Sequence, residues 1–250
     1  MPSHEDTVRE SFRRQVDLFT GEDSPFASPV PQLEWLGPVS REFLALEVAC
    51  GAAHVAQDLA PHVRAVTGLD LTRELLELGS ERIRAAGITN VVLQEGNAER
   101  MPFVDGSFDV VYCRASLHHF ADPARAVTEM VRVCRPGGRV ALSDMMVPDP
   151  AVRDTFDAVH RLLDPSHMRA YSENELVAVF PAGVEVSALA RMSGRIPLDV
   201  IITEQSDRAG VYDMLQAEID GGPVTGFAPA WEDDKLVVQF AVGTLAGAKP

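Results

Sequence analysis

Residues 43–54 read Phe-Leu-Ala-Leu-Glu-Val-Ala-Cys-Gly-Ala-Ala-His. The apolar run from Phe43 to Ala49 stops at Gly51, which is the pattern of a short buried strand ending in a tight turn. Small residues at 49, 51, 52 and 53 keep side chains out of that turn, so a ligand can approach the backbone. A helix over about 53–60 is expected next.

The alternation repeats downstream. Residues 64–70, 90–94, 108–113 and 139–144 read as four further strands. A helix capped by Thr72, with Glu74 and Glu77 in its early turns, follows the second strand. Another spans about 123–134, stopped by Pro136-Gly137-Gly138. Strands alternating with helices of this length imply βαβ units, hence an α/β fold with a doubly wound, mostly parallel sheet. Such a sheet binds its ligand beyond the carboxyl ends of its strands. The residues falling there are 47–53, Asp70, Asn97, 114–119 and Asp144.

The flanks are less regular. Residues 5–19 suit an amphipathic helix with Val8, Phe12, Val16 and Phe19 on one face. Residues 21–38 are rich in Gly, Pro and Ser and read as loop, with a short helix near 31–36. Residues 147–171 read as an insertion after the fifth strand, and 235–243 as a late strand. The expected organisation is one domain over 1–250. A helical segment occupies 1–40, the ligand-binding core 41–146 and an insertion 147–181. The rest of the sheet and its helices fill 182–250.

The composition is that of a soluble globular chain, with 46% hydrophobic and 24% charged residues. The formal net charge of -15 repels phosphate backbones and argues against nucleic acid as partner. The start, Met1-Pro2-Ser3-His4-Glu5-Asp6, lacks the basic and apolar segments of a secretory signal. No apolar run approaches the roughly 20 residues of a membrane span. Cys50, Cys113 and Cys134 are an odd, scattered set, unlike a disulfide framework or zinc site. These features lead us to expect a cytoplasmic monomer or homodimer with no metal.

The second strand ends at Asp70, 19 residues after Gly51. A carboxylate there suits a grip on ribose hydroxyls. The arrangement serves either a dinucleotide or S-adenosylmethionine (SAM). The dinucleotide fingerprint wants glycines at 49, 51 and 54, where this chain has Ala49, Gly51 and His54. Acidic Glu47 fits the ammonium of SAM. The turn alone leaves both open. Asp70 also reads as a helix cap, Asn97 as the closure of a turn, and Cys50 as a small apolar filler.

Further along stand Gly96-Asn97-Ala98-Glu99, then 101–111 (Met-Pro-Phe-Val-Asp-Gly-Ser-Phe-Asp-Val-Val), Leu117-His118-His119-Phe120 and Leu142-Ser143-Asp144. This succession resembles the class I SAM-dependent methyltransferases of the type 11 group. Within it, the look is of ubiquinone/menaquinone-biosynthesis C-methyltransferases and their natural-product relatives. The resemblance covers about 8–180 and is strongest over 44–147. It implies a seven-stranded Rossmann-like sheet, SAM as methyl donor and S-adenosylhomocysteine as product. It would place Glu47 at the methionine amine, Ala49 and Gly51 along the methionine portion, and Arg114 beside it. Asp70 would hold the ribose, with Leu71 against the adenine. Asn97 would stand where the family usually has Asp, and Ala98 would offer its backbone N–H to the ring. Ala53 replaces the last glycine of the turn, and its methyl would crowd the cofactor if the backbone there needs a positive φ.

Methyl transfer from a sulfonium is mainly a matter of proximity and orientation, but a hydroxyl or carbon acid also needs a base. His118 and His119 follow the fourth strand, and Asp144, ending the fifth, could orient one of them. Either histidine also reads as a packing residue. In the insertion, His160, His167 and Tyr171 are candidates for the acceptor pocket. The plainer reading of both histidines is a helix cap or the surface. Gln15, with Phe12 and Phe19, would close a lid, although core packing suits the two phenylalanines equally. The expected activity is methylation of O or C of a small aromatic, quinone-like or polyketide-type molecule. Ala53 and Asn97 motivate an alternative, a methyltransferase fold turned to cyclisation, elimination or hydrolysis. A nicotinamide oxidoreductase is disfavoured by His54.

Overall fold

The computed structural model describes residues 3–16 and 33–250. Its strands are β1 (Leu44–Val48), β2 (Ala65–Asp70), β3 (Val91–Glu95), β4 (Phe108–Arg114), β5 (Cys134–Met145), β6 (Glu185–Pro197), β7 (Ala230–Glu232) and β8 (Lys235–Ala248). Its helices are α1 (His4–Arg14), α2 (His54–Leu59), α3 (Arg73–Ala85), α4 (Pro123–Val133), α5 (Arg153–Leu163), α6 (Glu173–Ala178) and α7 (Arg208–Ile219).

Seven strands form one path in the order β3-β2-β1-β4-β5-β8-β6, and β7 pairs only with β8. The pairs among β1 to β5 are parallel, whereas β8 is antiparallel to both β5 and β6. The chain winds outward from β1 to β3 and then returns to place β4 on the other side of β1. That reversal opens a crevice at the carboxyl ends of β1 and β4.

Alternating side chains of the central strands supply two cores. Leu46 and Val48 of β1 join Val111 and Cys113 of β4 with Val127 and Met130 of α4 on one face. Ala45, Val110 and Tyr112 join Val55 and Leu59 of α2 on the other. Burial on both faces is why these strands read as continuous apolar runs. A third cluster, with Phe156, Val159, Leu198, Leu215 and Phe227, ties α5 to α7 and β8. No helix among the described residues is long and apolar enough to cross a membrane.

Several elements differ from the sequence expectation. Helix α1 ends at Arg14, with Gln15 as its C-cap. Phe19 and most of the expected loop lie outside the described residues; the short helix is a 3-10 turn, Leu33–Leu36. Thr72 sits at the N-cap of α3, but its hydroxyl makes no capping bond. Strand β5 begins at Cys134, directly where α4 ends, because Cys134 itself turns extended (φ −74°, ψ 137°). Pro136-Gly137-Gly138 therefore lies within β5, at its register irregularity with β4. A Cβ on Gly138 would stand 2.8 Å from the Asp109 carbonyl, so that close approach requires glycine.

Ala53 does adopt the left-handed conformation, with φ 60° and ψ 37°. Its methyl is fully buried in the second core, packed away from the crevice. The chain thus carries backbone strain here without obstructing a ligand. Replacing Ala53 with Val adds a branched side chain to a strained, filled position. We expect a loss of about 3 kcal/mol in unfolding free energy, read from urea denaturation; a loss below about 0.5 kcal/mol would contradict this packing.

Candidate active site

The turn after β1 is built on three positive φ angles, Ala49 (55°), Gly51 (51°) and Ala53 (60°). The Asp70 carboxylate fixes it from the end of β2. Its Oδ2 accepts from the Gly51 N–H at 2.8 Å and its Oδ1 from the Thr72 N–H at 2.8 Å. One side chain thus joins the turns after β1 and β2, combining the local-cap role with a position on the crevice wall. Burial raises its pKa, against the pull of those N–H groups.

Glu47 is buried at 4% exposure in β1. Its Oε2 accepts from the Ala56 N–H at 2.8 Å and from the Tyr112 hydroxyl at 3.4 Å. These two donors do not offset the loss of water, and burial pushes the carboxyl up to about 8. Arg114, at the end of β4, opposes that rise through its charge.

Glu47, Ala49, Gly51, Asp70, Leu71, Asn97, Ala98 and Arg114 all line one cavity of about 890 Å³. Asn97 is already engaged. Its Oδ1 accepts from the Glu99 N–H at 2.6 Å, and its Nδ2 donates to Glu5 Oε1 of α1 at 2.8 Å. The turn-closing reading therefore holds, with an added latch to the N-terminal helix. An Asp here would face Glu5 with like charge.

The same cavity continues to His118, His119 and Asp144. The chain leaves β4 through Ala115, at φ 49°, and forms a 3-10 turn over Leu117–His119. His118 Nδ1 lies 2.5 Å from Asp144 Oδ1. Burial works to raise the Asp144 pKa but is outweighed by the charge and hydrogen bond of His118, so the carboxyl lies below its ordinary range. A carboxylate only accepts, so Nδ1 of His118 carries a proton, and in the neutral ring Nε2 is then the acceptor nitrogen.

His119 belongs to a separate chain of contacts. Its Nδ1 stands 3.0 Å from Ser166 Oγ, whose hydroxyl donates to Asp164 Oδ1 at 2.6 Å. Burial first, then the neighbouring His118, hold the His119 pKa down to about 3. Its ring is therefore neutral near pH 7. Asp164 also accepts from Ser11 Oγ at 2.8 Å and Gln15 Nε2 at 3.1 Å, both from the α1 segment. His4 Nε2 donates to the His119 carbonyl at 2.6 Å, and the Phe12 ring packs edge-on to His119 at 5.0 Å. Val8, Phe12 and Gln15 line the cavity, so α1 covers it.

His160 and His167 are neither caps nor surface residues: they are 5% and 3% exposed and both line the cavity. Tyr171 does not line it. That ring packs in the first core, and the Tyr171 backbone bridges to Met146. Among the described residues no three His, Cys, Asp or Glu groups are spaced to hold a metal ion. Sequence reasoning missed the apolar wall from Met192 and Ile196 of β6 and Phe240 and Val242 of β8. Phe240, Val242 and Thr244 alternate along one face of β8. That period was visible, but only the pairing of β8 with β5 turns it toward the site.

Comparison with known proteins agrees with this fold. A family model described as a methyltransferase domain matches residues 46–142. The chain is 41% identical over 142 residues to YcgJ of Bacillus subtilis, named an uncharacterized methyltransferase, with 56% of each covered. It is 37% identical over 125 residues to the demethylmenaquinone methyltransferase of Listeria welshimeri, covering 48% of this chain and 52% of that one. The chain thus spans about half the length of the curated relatives it matches. The YcgJ crystal structure superposes with a TM-score of 0.79 at 28% identity, over 87% of this chain and 99% of that one. A Haemonchus contortus phosphoethanolamine N-methyltransferase, solved with S-adenosyl-L-methionine, shares the fold, with a TM-score of 0.67 at 17% identity over 100% of this chain and 60% of that one.

The parallel sheet with its one antiparallel strand, and the small-residue turn tied to Asp70, define a class I SAM methyltransferase fold. The chain belongs to the methyltransferase-domain family matched over 46–142.

Asp164 joins α1, the insertion and His119, so its loss should release the cover. In Asp164→Ala, amide hydrogen exchange over residues 4–14 is expected to accelerate at least about tenfold. Unchanged exchange there would show that α1 is held by other contacts.

Proposed function

We propose that this protein transfers a methyl group from SAM to an oxygen or acidic carbon of a small, largely apolar acceptor of aromatic, quinone-like or polyketide type. The observation that carries this reading is the His118–Asp144 pair, lining the same cavity as Glu47 and Asp70. Residues 1–250 are treated as one functional unit. Three buried free thiols suit a reducing, cytoplasmic setting.

The residues present fit the cofactor. Glu47 is an under-satisfied buried carboxyl on the cavity wall and would take the amine. Ala49 and Gly51 would line the methionine portion, with Arg114 beside it. Asp70 would hold the ribose, Leu71 would flank the adenine, and Asn97 and Ala98 would border its edge. When bound, SAM would supply a methyl carbon made electrophilic by its positively charged sulfur, which leaves as the neutral thioether of S-adenosylhomocysteine. The chain's task is therefore orientation and removal of the acceptor proton. His118 takes that proton on Nε2, and Asp144, bonded to Nδ1, stabilises the imidazolium that forms. His119, neutral and fixed by Ser166, borders the acceptor without acting as the base. The apolar wall and α1 exclude water. The non-methylating alternative loses its main motive, since the Ala53 methyl points into the core.

His118→Asn is expected to lower turnover about 10²-fold or more on any acceptor that gains a methyl mass. Homocysteine-product affinity should stay within about twofold, as the variant leaves the cofactor half intact. An equal loss in His119→Asn, or none in His118→Asn, would contradict the assignment. Glu47 gives a pH prediction. Its carboxyl is protonated below about 8, while an ammonium binds the ionised form. SAM binding must therefore release a proton. Its affinity is expected to climb by up to about tenfold per unit from pH 6 toward 7.5. A calorimetric series that is flat in the wild type, or equally steep in Glu47→Gln, would refute this role.

A further inference from the structure

Two histidines on the cavity wall each carry a ring nitrogen with no work in the mechanism above. His167 Nε2 lies 2.8 Å from Asp157 Oδ1, which also accepts from the Ala170 N–H at 2.8 Å. The carboxylate takes the ring proton, so His167 Nδ1 is left as a bare lone pair. That Nδ1 is buried with no hydrogen-bond partner, and so is His160 Nε2. The two rings stack at 4.9 Å and 25°, and His160 is flanked by Phe156 at 4.6 Å and Phe227 at 4.9 Å. A buried polar atom without a partner costs free energy until something supplies one. Both residues line the cavity, so a ligand there that the rings turn to meet can supply it.

The chemistry of the pair restricts the ligand. Burial holds both imidazoles below their usual pKa, against the Asp157 bond in the case of His167, so neither offers a cation to an anionic group. The lone pair on His167 and the nearby Asp144, Asp157 and Asp164 repel a carboxylate or phosphate. A neutral hydroxyl satisfies His167 as donor, and the unconstrained His160 ring can meet the same oxygen from its other side. The ring centres of His118 and His167 are 5.6 Å apart, so one small molecule touches both.

We infer that His167 and His160 form a hydroxyl-binding subsite. The acceptor is therefore a neutral aromatic with a second hydroxyl besides the atom that His118 deprotonates. This rests on the methyltransferase reading and narrows its substrate class.

The test is calorimetric titration of the protein, saturated with S-adenosylhomocysteine, with 2-naphthol and with 1,3-, 1,6- and 2,7-dihydroxynaphthalene. At least one diol should bind about tenfold tighter than 2-naphthol, the scale of one well-made hydrogen bond. That advantage should fall to about twofold or less in His167→Phe. This variant leaves Asp157 without its ring donor. His160→Phe, which removes no existing side-chain hydrogen bond, is therefore the second variant, and it should also reduce the advantage. The 15N resonance of His167 Nδ1 should move toward the hydrogen-bonded range with the diol and not with 2-naphthol. No diol binding tighter than 2-naphthol, including no binding by any probe, overturns the subsite. So does an advantage that survives in both variants. If the homocysteine product itself fails to bind, the methyltransferase reading fails separately, and the same comparison on the free protein still decides the subsite.

Discussion

The Asp144 carboxylate accepts four hydrogen bonds at the end of β5. Oδ2 takes the N–H groups of Ser116 and Leu117, at 3.0 and 2.6 Å. Oδ1 takes His118 Nδ1 at 2.5 Å and the Met145 N–H at 2.7 Å. A fully buried carboxylate is tolerable only when its oxygens are satisfied in this way. The consequence is geometric. The segment leaving β4 is drawn onto the end of β5, and the ring of His118 is held in one tautomer facing the cavity. The His118 carbonyl in turn accepts from the Met168 N–H at 2.9 Å, so the insertion is seated on the same loop. His118, the crevice wall and the insertion are therefore fixed together.

Other buried carboxylates act as junctions of the same kind. Asp70 joins the turns after β1 and β2, Asp157 joins α5 to His167 and Ala170, and Asp164 joins α1 to the insertion. Each draws on backbone N–H groups that a turn or helix end would otherwise leave unpaired. Glu47 departs from this pattern. With one backbone donor, one long hydroxyl contact and the charge of Arg114 nearby, its carboxyl is still pushed up to about 8 by burial. That difference sets a carboxyl that ties turns together apart from the one to which the proposal gives the cofactor amine.

The first five strands and much of the crevice lining were legible in the sequence because their signals are local. Apolar runs, the small-residue turn at 49–53 and the acidic ends at Asp70 and Asp144 lie within a few residues of the features they determine. The pairing of Asp144 with His118 rather than His119 was not legible, since the choice depends on how a 3-10 turn rotates two adjacent rings. Nor was the seating of His160 and His167: His160 packs between Phe156, one turn away on α5, and Phe227 from a distant segment, and His167 stacks on His160. Tyr171 shows the converse: a polar-tipped aromatic in a suggestive stretch that packs inward. Asn97 lines the cavity, but its bond to Glu5, 92 residues away in sequence, was not legible. The β6–β8 wall depends on antiparallel register between strands at the far end of the chain, which no window of sequence contains.

The account stands on a single orientation. In the proposed reading the cofactor would lie between Glu47 and Asp70, with its sulfur turned to the face that His118 lines. A crystal structure with S-adenosylhomocysteine measures this directly. The predicted result is a ligand whose amine meets Glu47, whose ribose meets Asp70, and whose sulfur opens toward His118 and the Met192–Val242 wall. A crevice that stays empty at saturating ligand, or a sulfur facing away from His118, would contradict it.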